Sequence, residues 1–380
     1  MAWLLNESNF TWKDRLKICS FFLKKEKFWT MTDEVAKFEK KMAQYTGTKY
    51  AVFVSNGSTA NTLLAMYLKD QLRGSIKDTV VFPSTTWITS VSPFLREGFK
   101  PQFIDITLDS LSLDLDKLEN FLKDNRHRVA CVFVTSLLGF SPNIDRLKYI
   151  RKKYQVKIML DNCESTFTGW NGRNISSYFT STTSTYFGHL LQSVEGGFIF
   201  TNSQYEYEYF IMARNHGMTR GLTNNKEYYL NKQVDSRFDF NILGNNFRNT
   251  NINAFIGQLD FERISEYTDK RCLLYDIFYG FCQESATVTT FSRKLEDVPF
   301  SLPFILPTVQ EKHRIIEYCK ENNIETRPIV SGNLLRQTCL KGYANPEDFE
   351  NSDIVHHNGL YVGLHSKVKE QDIKKLARVL

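Results

Sequence analysis

Through roughly the first two hundred residues, short apolar runs alternate with stretches whose apolar positions recur every three or four residues. A continuous apolar run closed by turn residues reads as a strand covered on both faces, and a three-to-four repeat as a helix with one buried stripe. The spacing predicts strands at Tyr50–Ser55, Thr79–Pro83, Pro101–Asp105, Val129–Thr135, Val156–Asp161, Thr183–Phe187 and Gly197–Thr201. Helices are expected between them at Met31–Tyr45, Ser58–Lys69, Trp87–Glu97, Leu115–Asp124 and Arg146–Tyr154. Repeated βα units imply a mostly parallel sheet.

Beyond about residue 205 the pattern turns helical, with an Asn-rich loop near Thr223–Lys226 and one or two helices between Ile252 and Gln283. The last hundred residues read as strand, helix, strand and helix at Pro303–Leu306, Gln310–Asn322, His357–Val362 and Lys369–Val379. The expectation is an α/β protein with a large domain over residues 1–280 and a smaller C-terminal α/β domain over 281–380. The N-terminal segment is a candidate to pack on the small domain.

Composition then narrows the partners. At 380 residues, 42% hydrophobic and 24% charged, the chain is neither disordered nor fibrous. Its 48 Lys+Arg against 42 Asp+Glu leave +6, a small excess that argues against a nucleic-acid surface. No apolar run approaches the roughly 18–20 residues that cross a bilayer, and the N-terminus lacks the order of a signal peptide. A cytoplasmic chain with no membrane partner is expected. Seven cysteines are scattered without a C-x-x-C, so neither a disulfide framework nor a sequence-local metal site is indicated.

Four places could carry chemistry. A strand running into V-S-N-G-S-T-A-N presents free backbone N–H groups and hydroxyls at a helix start, which is either an anion site or a capped turn. Trp87 in P-S-T-T-W is either core or a stacking surface for a flat ligand. The strand V-K-I-M-L-D ends in Asp161, with Glu164 three residues on, where open α/β sheets bind ligands. The segment S-T-Y-F-G-H-L-L-Q-S-V-E-G-G carries Ser184 and His189, and a lone histidine is more often structural than catalytic.

Taken in order, G-S-T-A at 57–60, P-S-T-T-W, D-N-C-E-S at 161–165, the Ser184–Gly197 segment, R-N-H-G at 214–217 and L-G-N-N-F-R at 243–248 resemble the sugar aminotransferase family of fold-type-I pyridoxal-phosphate enzymes. The resemblance spans nearly the whole chain. It implies a three-layer aminotransferase-like fold and a homodimer with a shared active site. By it, Gly57, Ser58, Thr59 and Ser184 would hold the cofactor phosphate, with Asn246 reaching in from the second subunit. Trp87 would stack on the pyridine ring, Asp161 would pair with the ring nitrogen, and Glu164 would sit near the ring hydroxyl.

Aligned on Glu195-Gly196-Gly197, His189 falls where the family has its cofactor-bonding lysine. Imidazole lacks the primary amine such a bond requires, yet it moves protons near neutrality. A histidine there resembles the sugar 3-dehydratase branch, as do E-T-R-P-I-V-S-G-N at 325–333 and H-N-G-L-Y-V-G-L-H at 357–365. That branch implies pyridoxamine phosphate as the working cofactor, a nucleotide-linked 4-keto-6-deoxyhexose, GDP-linked by resemblance, as substrate, and L-glutamate as the cosubstrate that restores the cofactor. His189 would be the catalytic acid–base group. Arg327, and after it Arg248 and Arg214, are candidates for binding substrate anions, with a structural ion pair equally open to the last two. The iron–sulfur branch carries clustered cysteines after its R-x-x-G motif; R-N-H-G-M-T-R-G-L-T has none, so no cluster is expected. Leu190 and Phe187-Gly188 depart from the branch's usual residues around the histidine.

Overall fold

In a computed structural model, residues 2–23, 28–222, 226–283 and 288–380 are described. The strands are β1 Tyr50–Val54, β2 Thr79–Pro83, β3 Lys100–Ile104, β4 Val129–Thr135, β5 Ile158–Asp161, the hairpin β6 Gly169–Trp170 and β7 Arg173–Asn174, β8 Thr180–Ser184, β9 Gly197–Thr201, β10 Thr289–Thr290, β11 Ser301–Ile305, β12 Thr326–Arg327 and β13 Gly359–Gly363. Seven form one sheet in the order β1-β9-β8-β5-β4-β2-β3. Only β9 runs against its neighbours; the pairs from β8 through β3 are parallel.

Alternation along the strands explains the layers. Val80 and Phe82 of β2, with Cys131 and Phe133 of β4, pack into one core with helix Gly57–Gln71. Their neighbours Val81, Val132 and Val134 face the opposite core, against helices Leu115–Asn125 and Ile144–Tyr154. Side chains that alternate between faces with both faces buried make a strand apolar at every position. At β1 and β9 the second face is closed by helix Asp33–Thr46, whose Phe38 meets Phe53 and Phe198 edge-on at 5.1 and 4.9 Å.

The second sheet, β10-β11-β13-β12, is antiparallel throughout. Its core takes Leu274, Tyr275 and Phe278 from helix Ile264–Gln283, Trp3 from the N-terminal segment and Leu137, Leu138 and Phe140 from the loop after β4. The long helix therefore packs on the C-terminal sheet through the turns that precede residue 280. Trp3 bridges Ile324 and donates its indole N–H to Gly363 O at 2.8 Å. Where the two parts meet, Gly139 has a φ of +88° and passes so close to Val298 that a Cβ would lie 2.0 Å from its carbonyl oxygen, so only glycine fits.

Three expected elements differ. The helix expected over Trp87–Glu97 is a short 3-10 turn, Ile88–Ser90, followed by Ser92–Arg96, because Pro93 belongs in a first helical turn and not in a helix interior. The strand expected at Thr183–Phe187 lies at Thr180–Ser184, where T-S-T-T-S is buried by satisfying its hydroxyls, not by being apolar. His357 lies in the last turn of helix Glu350–Asn358, and the strand begins at Gly359. The stretch from Ile252, expected as one or two helices, is two, Asn251–Phe261 and Ile264–Gln283. Most of the Asn-rich loop near Thr223 lies outside the described residues. No helix of the described residues is long and apolar enough to cross a membrane.

Candidate active site

The carboxyl ends of β1, β4, β5 and β8 open into one cavity of about 670 Å³. Open parallel sheets place ligands at this edge because loops diverge there and helix N-termini point into the gap. The cavity wall includes Gly57, Ser58, Trp87, Asp161, Glu164, Ser184, His189 and Arg327, eight of the twelve residues singled out in the sequence.

The helix that follows β1 starts beneath the cavity. Asn56 caps it, accepting from Thr59 N at 2.9 Å, while Thr59 Oγ1 accepts from Asn56 N at 3.1 Å. Thr59 thus spends its hydroxyl on the capping box and does not line the cavity. Gly57 and Ser58 do, and a Cβ on Gly57 would stand 2.9 Å from Cys163 Sγ and 3.1 Å from Ser184 Cβ. The absence of that Cβ leaves backbone N–H groups open to an anion at the positive end of the helix.

Asp161 ends β5 and is only 3% exposed. Oδ2 accepts from Asn61 Nδ2 at 2.8 Å and Ser90 Oγ at 2.7 Å, and Oδ1 accepts from Cys163 N at 3.0 Å. A carboxylate offers about four acceptor positions. All three donors are neutral, the Cys163 thiol that also bonds the carboxylate is a weak one, and the charge is left for a cationic N–H to match. Asn61 is held in this orientation by Thr182 Oγ1, which donates to its Oδ1 at 2.7 Å.

His189 sits in the loop between β8 and β9, fixed by Thr185 N to Gly196 O and Ser193 N to Thr185 O, both 2.8 Å. Its Nδ1 lies 2.6 Å from Cys163 O. A carbonyl can only accept, so Nδ1 carries the hydrogen and the neutral ring keeps its lone pair on Nε2. Burial pushes the imidazole below its ordinary pKa, a shift partly offset by the Cys163 carbonyl and the charge of Asp161. Leu190 turns the other way and is 3% exposed in the core with Phe38 and Phe198. Its departure from the branch pattern is a matter of packing.

Glu164 accepts from Leu138 N at 2.8 Å, and burial raises its carboxyl from the ordinary 4.5 to about 7. An acid whose folded pKa is raised contributes stability that is full below the unfolded pKa and is lost as pH rises through the folded one. Glu164→Gln removes this titration. The variant is therefore expected to gain stability relative to the native chain between about pH 4.5 and pH 7, by urea unfolding at a series of pH values. An unchanged difference across that window would contradict the assignment.

Trp87 stands in the wall with 55% of its surface open, unusual for a tryptophan unless something flat covers it. Arg327 lies at the rim, its side chain 63% exposed and 3.8 Å from Glu325. The other two candidate arginines lie elsewhere. Arg214 is buried in an ion pair with Glu39 and donates to Phe53 O at 2.7 Å, which corrects its assignment as a substrate contact. Arg248 donates to Asn215 Oδ1 at 2.7 Å and lies outside the cavity wall, as does the exposed Asn246.

Residues the sequence did not single out also line the wall, among them Asn61, Arg271, Phe300, Tyr361 and the N-terminal Leu4–Asn6. Asn61 was legible as a polar position within the apolar stripe of its helix. No lysine lines the cavity among the described residues.

A model of the DegT/DnrJ/EryC1/StrS aminotransferase family matches residues 14–380. The chain belongs to this family. Within it, the GDP-4-keto-6-deoxy-D-mannose 3-dehydratase of Yersinia pseudotuberculosis is 29% identical over 363 residues, 93% of this chain and 92% of that protein. The protein of the same name from Escherichia coli O55:H7 is 27% identical and covers 93% of each chain. Among solved structures, the E. coli GDP-4-keto-6-deoxy-D-mannose-3-dehydratase with bound hydrated PLP aligns at a TM-score of 0.92 over 100% of both chains, with 27% identity. A histidine-to-asparagine mutant of a GDP-4-keto-6-deoxymannose-3-dehydratase with bound GDP-perosamine aligns at 0.91 over 99% of each chain, with 26% identity. The three-layer aminotransferase-like fold expected from the sequence is thereby established.

Proposed function

We propose that this member of the family is a pyridoxamine-phosphate-dependent 3-dehydratase of a GDP-linked 4-keto-6-deoxyhexose, recharged by L-glutamate. The observation that carries the proposal is His189, an imidazole with Nδ1 tethered and Nε2 free, in a cavity whose wall holds no lysine among the described residues. The relatives' names supply the substrate class.

The cavity fits the cofactor. Gly57, Ser58 and Ser184 form a cradle at a helix N-terminus for its phosphate, Asp161 offers a carboxylate held only by neutral donors to a protonated ring nitrogen, and Trp87 offers an uncovered face to the ring. When bound, the cofactor supplies an amine that condenses with the sugar's 4-keto group and a conjugated ring that takes up electrons. Asp161 keeps that ring protonated and electron-poor. His189 accepts a proton at Nε2 from the carbon next to the amine and delivers it to the C3 hydroxyl oxygen as that group leaves. With no amine of the protein to take up the cofactor, water would cleave the bond between cofactor and sugar nitrogen, and the released unsaturated aminosugar would tautomerise and lose ammonia to a second water, giving a 4-keto-3,6-dideoxy sugar. Such sugars are used in lipopolysaccharide O-antigens, and colitose is the end product we favour.

A homodimer with a shared site accords with the exposed Asn246 and with the exposed apolar side chains of Tyr186 and Phe187 on the His189 loop and of Phe238, Phe240 and Leu243. Asn246 of the partner subunit would then complete the phosphate cradle. On this reading Glu164 would lie near the ring hydroxyl and Arg327 near the diphosphate at the mouth, and the enzyme would work in the cytoplasm.

Borohydride provides the simplest test. Purified protein incubated with pyridoxal phosphate and then reduced is expected to keep its unmodified mass, because imidazole gives no reducible carbon–nitrogen double bond. Stoichiometric attachment to a lysine would return the chain to the aminotransferases.

A further inference from the structure

Helix Ile264–Gln283 buries Ile264, Arg271, Leu274, Tyr275, Phe278 and Cys282 along one stripe. Five of these fill core, while the sixth carries a charge. Arg271 is 7% exposed and lines the cavity. A guanidinium has five N–H donors, and its burial is unfavourable unless they are paired. Arg271 makes one hydrogen bond to the described residues, from Nη1 to Phe300 O at 2.8 Å.

No carboxylate of the described residues is hydrogen-bonded to Arg271. Asp260, the carboxylate whose charge acts on it, accepts instead from Gln192 N at 2.9 Å, and burial raises that carboxyl to about 6. His365 is pushed down to about 4 by burial and is neutral at physiological pH. Burial lowers Arg271 itself to about 10, which keeps it cationic.

Its position narrows the anion. The carbonyl of Phe300 takes Nη1, and the ring of the same residue lies 5.6 Å from the His189 ring, centroid to centroid. The guanidinium is thus one residue away from the group that moves the proton. A nucleotide diphosphate extending toward solvent suits Arg327 at the rim. A small anion bonded directly to the reacting carbon suits Arg271. In an α-amino acid the carboxylate is attached to the carbon that gives up its proton, and the planar fork of arginine matches it with two parallel hydrogen bonds.

We propose that Arg271 binds the α-carboxylate of the amino-acid donor that recharges the cofactor, an assignment resting on the dehydratase reading and its use of L-glutamate.

The test is the donor half-reaction alone, followed by cofactor absorbance in the holoenzyme without sugar. L-Glutamate is compared with its α-amide (isoglutamine) and its γ-amide (glutamine) in native protein, Arg271→Lys and Arg271→Gln. Native enzyme is expected to favour glutamate over the α-amide by roughly 10- to 100-fold, the range for one charge-assisted hydrogen-bond pair. In Arg271→Gln the efficiency with glutamate falls by a similar factor and the preference over the α-amide collapses toward unity. Arg271→Lys, which keeps charge without the fork, falls between.

Full discrimination against the α-amide in Arg271→Gln would overturn the proposal. So would a loss of discrimination against the γ-amide alone, or a defect confined to nucleotide-sugar binding. If circular dichroism shows that Arg271→Gln does not fold, Arg271→Lys and the native enzyme decide: native protein that uses the α-amide as well as glutamate sinks the assignment. Absence of dehydration with every sugar would remove the dehydratase reading and leave this sugar-free comparison standing on its own.

Discussion

Replacing His189 with asparagine is expected to slow C3 deoxygenation by roughly 10²- to 10⁴-fold, the usual contribution of a positioned acid–base group. Asparagine can still donate to Cys163 O, which His189 Nδ1 reaches at 2.6 Å, so the loop between β8 and β9 should keep its shape. What disappears is the basic lone pair on Nε2. Cofactor affinity, measured by absorbance titration, should therefore change little while turnover collapses. The native enzyme should also show an acid limb below the ordinary histidine pKa, because burial disfavours the imidazolium. That limb should vanish from the residual rate of the variant. Turnover within a few fold of native would refute the role given to His189.

The second large effect is expected at Asp161. In Asp161→Asn, one acceptor oxygen and one NH₂ group replace two acceptor oxygens, yet Asn61 Nδ2, Ser90 Oγ and Cys163 N still converge on the site. An amide must turn its NH₂ toward at least one of these groups, and it cannot hold a ring nitrogen in the protonated state. Loss of a pre-organised electrostatic partner of this kind costs roughly 10²- to 10³-fold in rate. Weaker cofactor binding and an altered absorbance of the bound cofactor should accompany it, since ring protonation sets the chromophore. A variant with native absorbance and native turnover would show that the carboxylate serves only the fold.

These assignments mark how far the sequence reads on its own. Strands β2, β4 and β9 have the expected bounds because each is a continuous apolar run closed by turn residues. β8 slipped by three residues because its buried T-S-T-T-S is polar in composition and apolar only in context. The cavity was legible where a functional side chain ends a strand or begins a helix, as with Gly57, Asp161 and Ser184. It was not legible where tertiary pairing decides. Arg214 finds Glu39, 175 residues away, and no local pattern announces such a partner. Arg271 lies more than eighty residues from His189 in sequence, and Leu4–Asn6 reach the cavity because Trp3 and Leu5 pair with Asn323, Glu325 and Gly363. The signal available for Arg271 was a charge at an apolar position of a helical stripe.

The central claim is a deoxygenation that releases the amine it borrows. Purified protein supplied with pyridoxal phosphate, L-glutamate and GDP-4-keto-6-deoxymannose is therefore the most direct trial, with the sugar product read by mass spectrometry and ammonia and 2-oxoglutarate by coupled assay. A 4-keto-3,6-dideoxy sugar is expected, with one ammonia and one 2-oxoglutarate for each sugar deoxygenated. An aminosugar that retains its C3 hydroxyl, with 2-oxoglutarate formed and no ammonia released, would contradict the account.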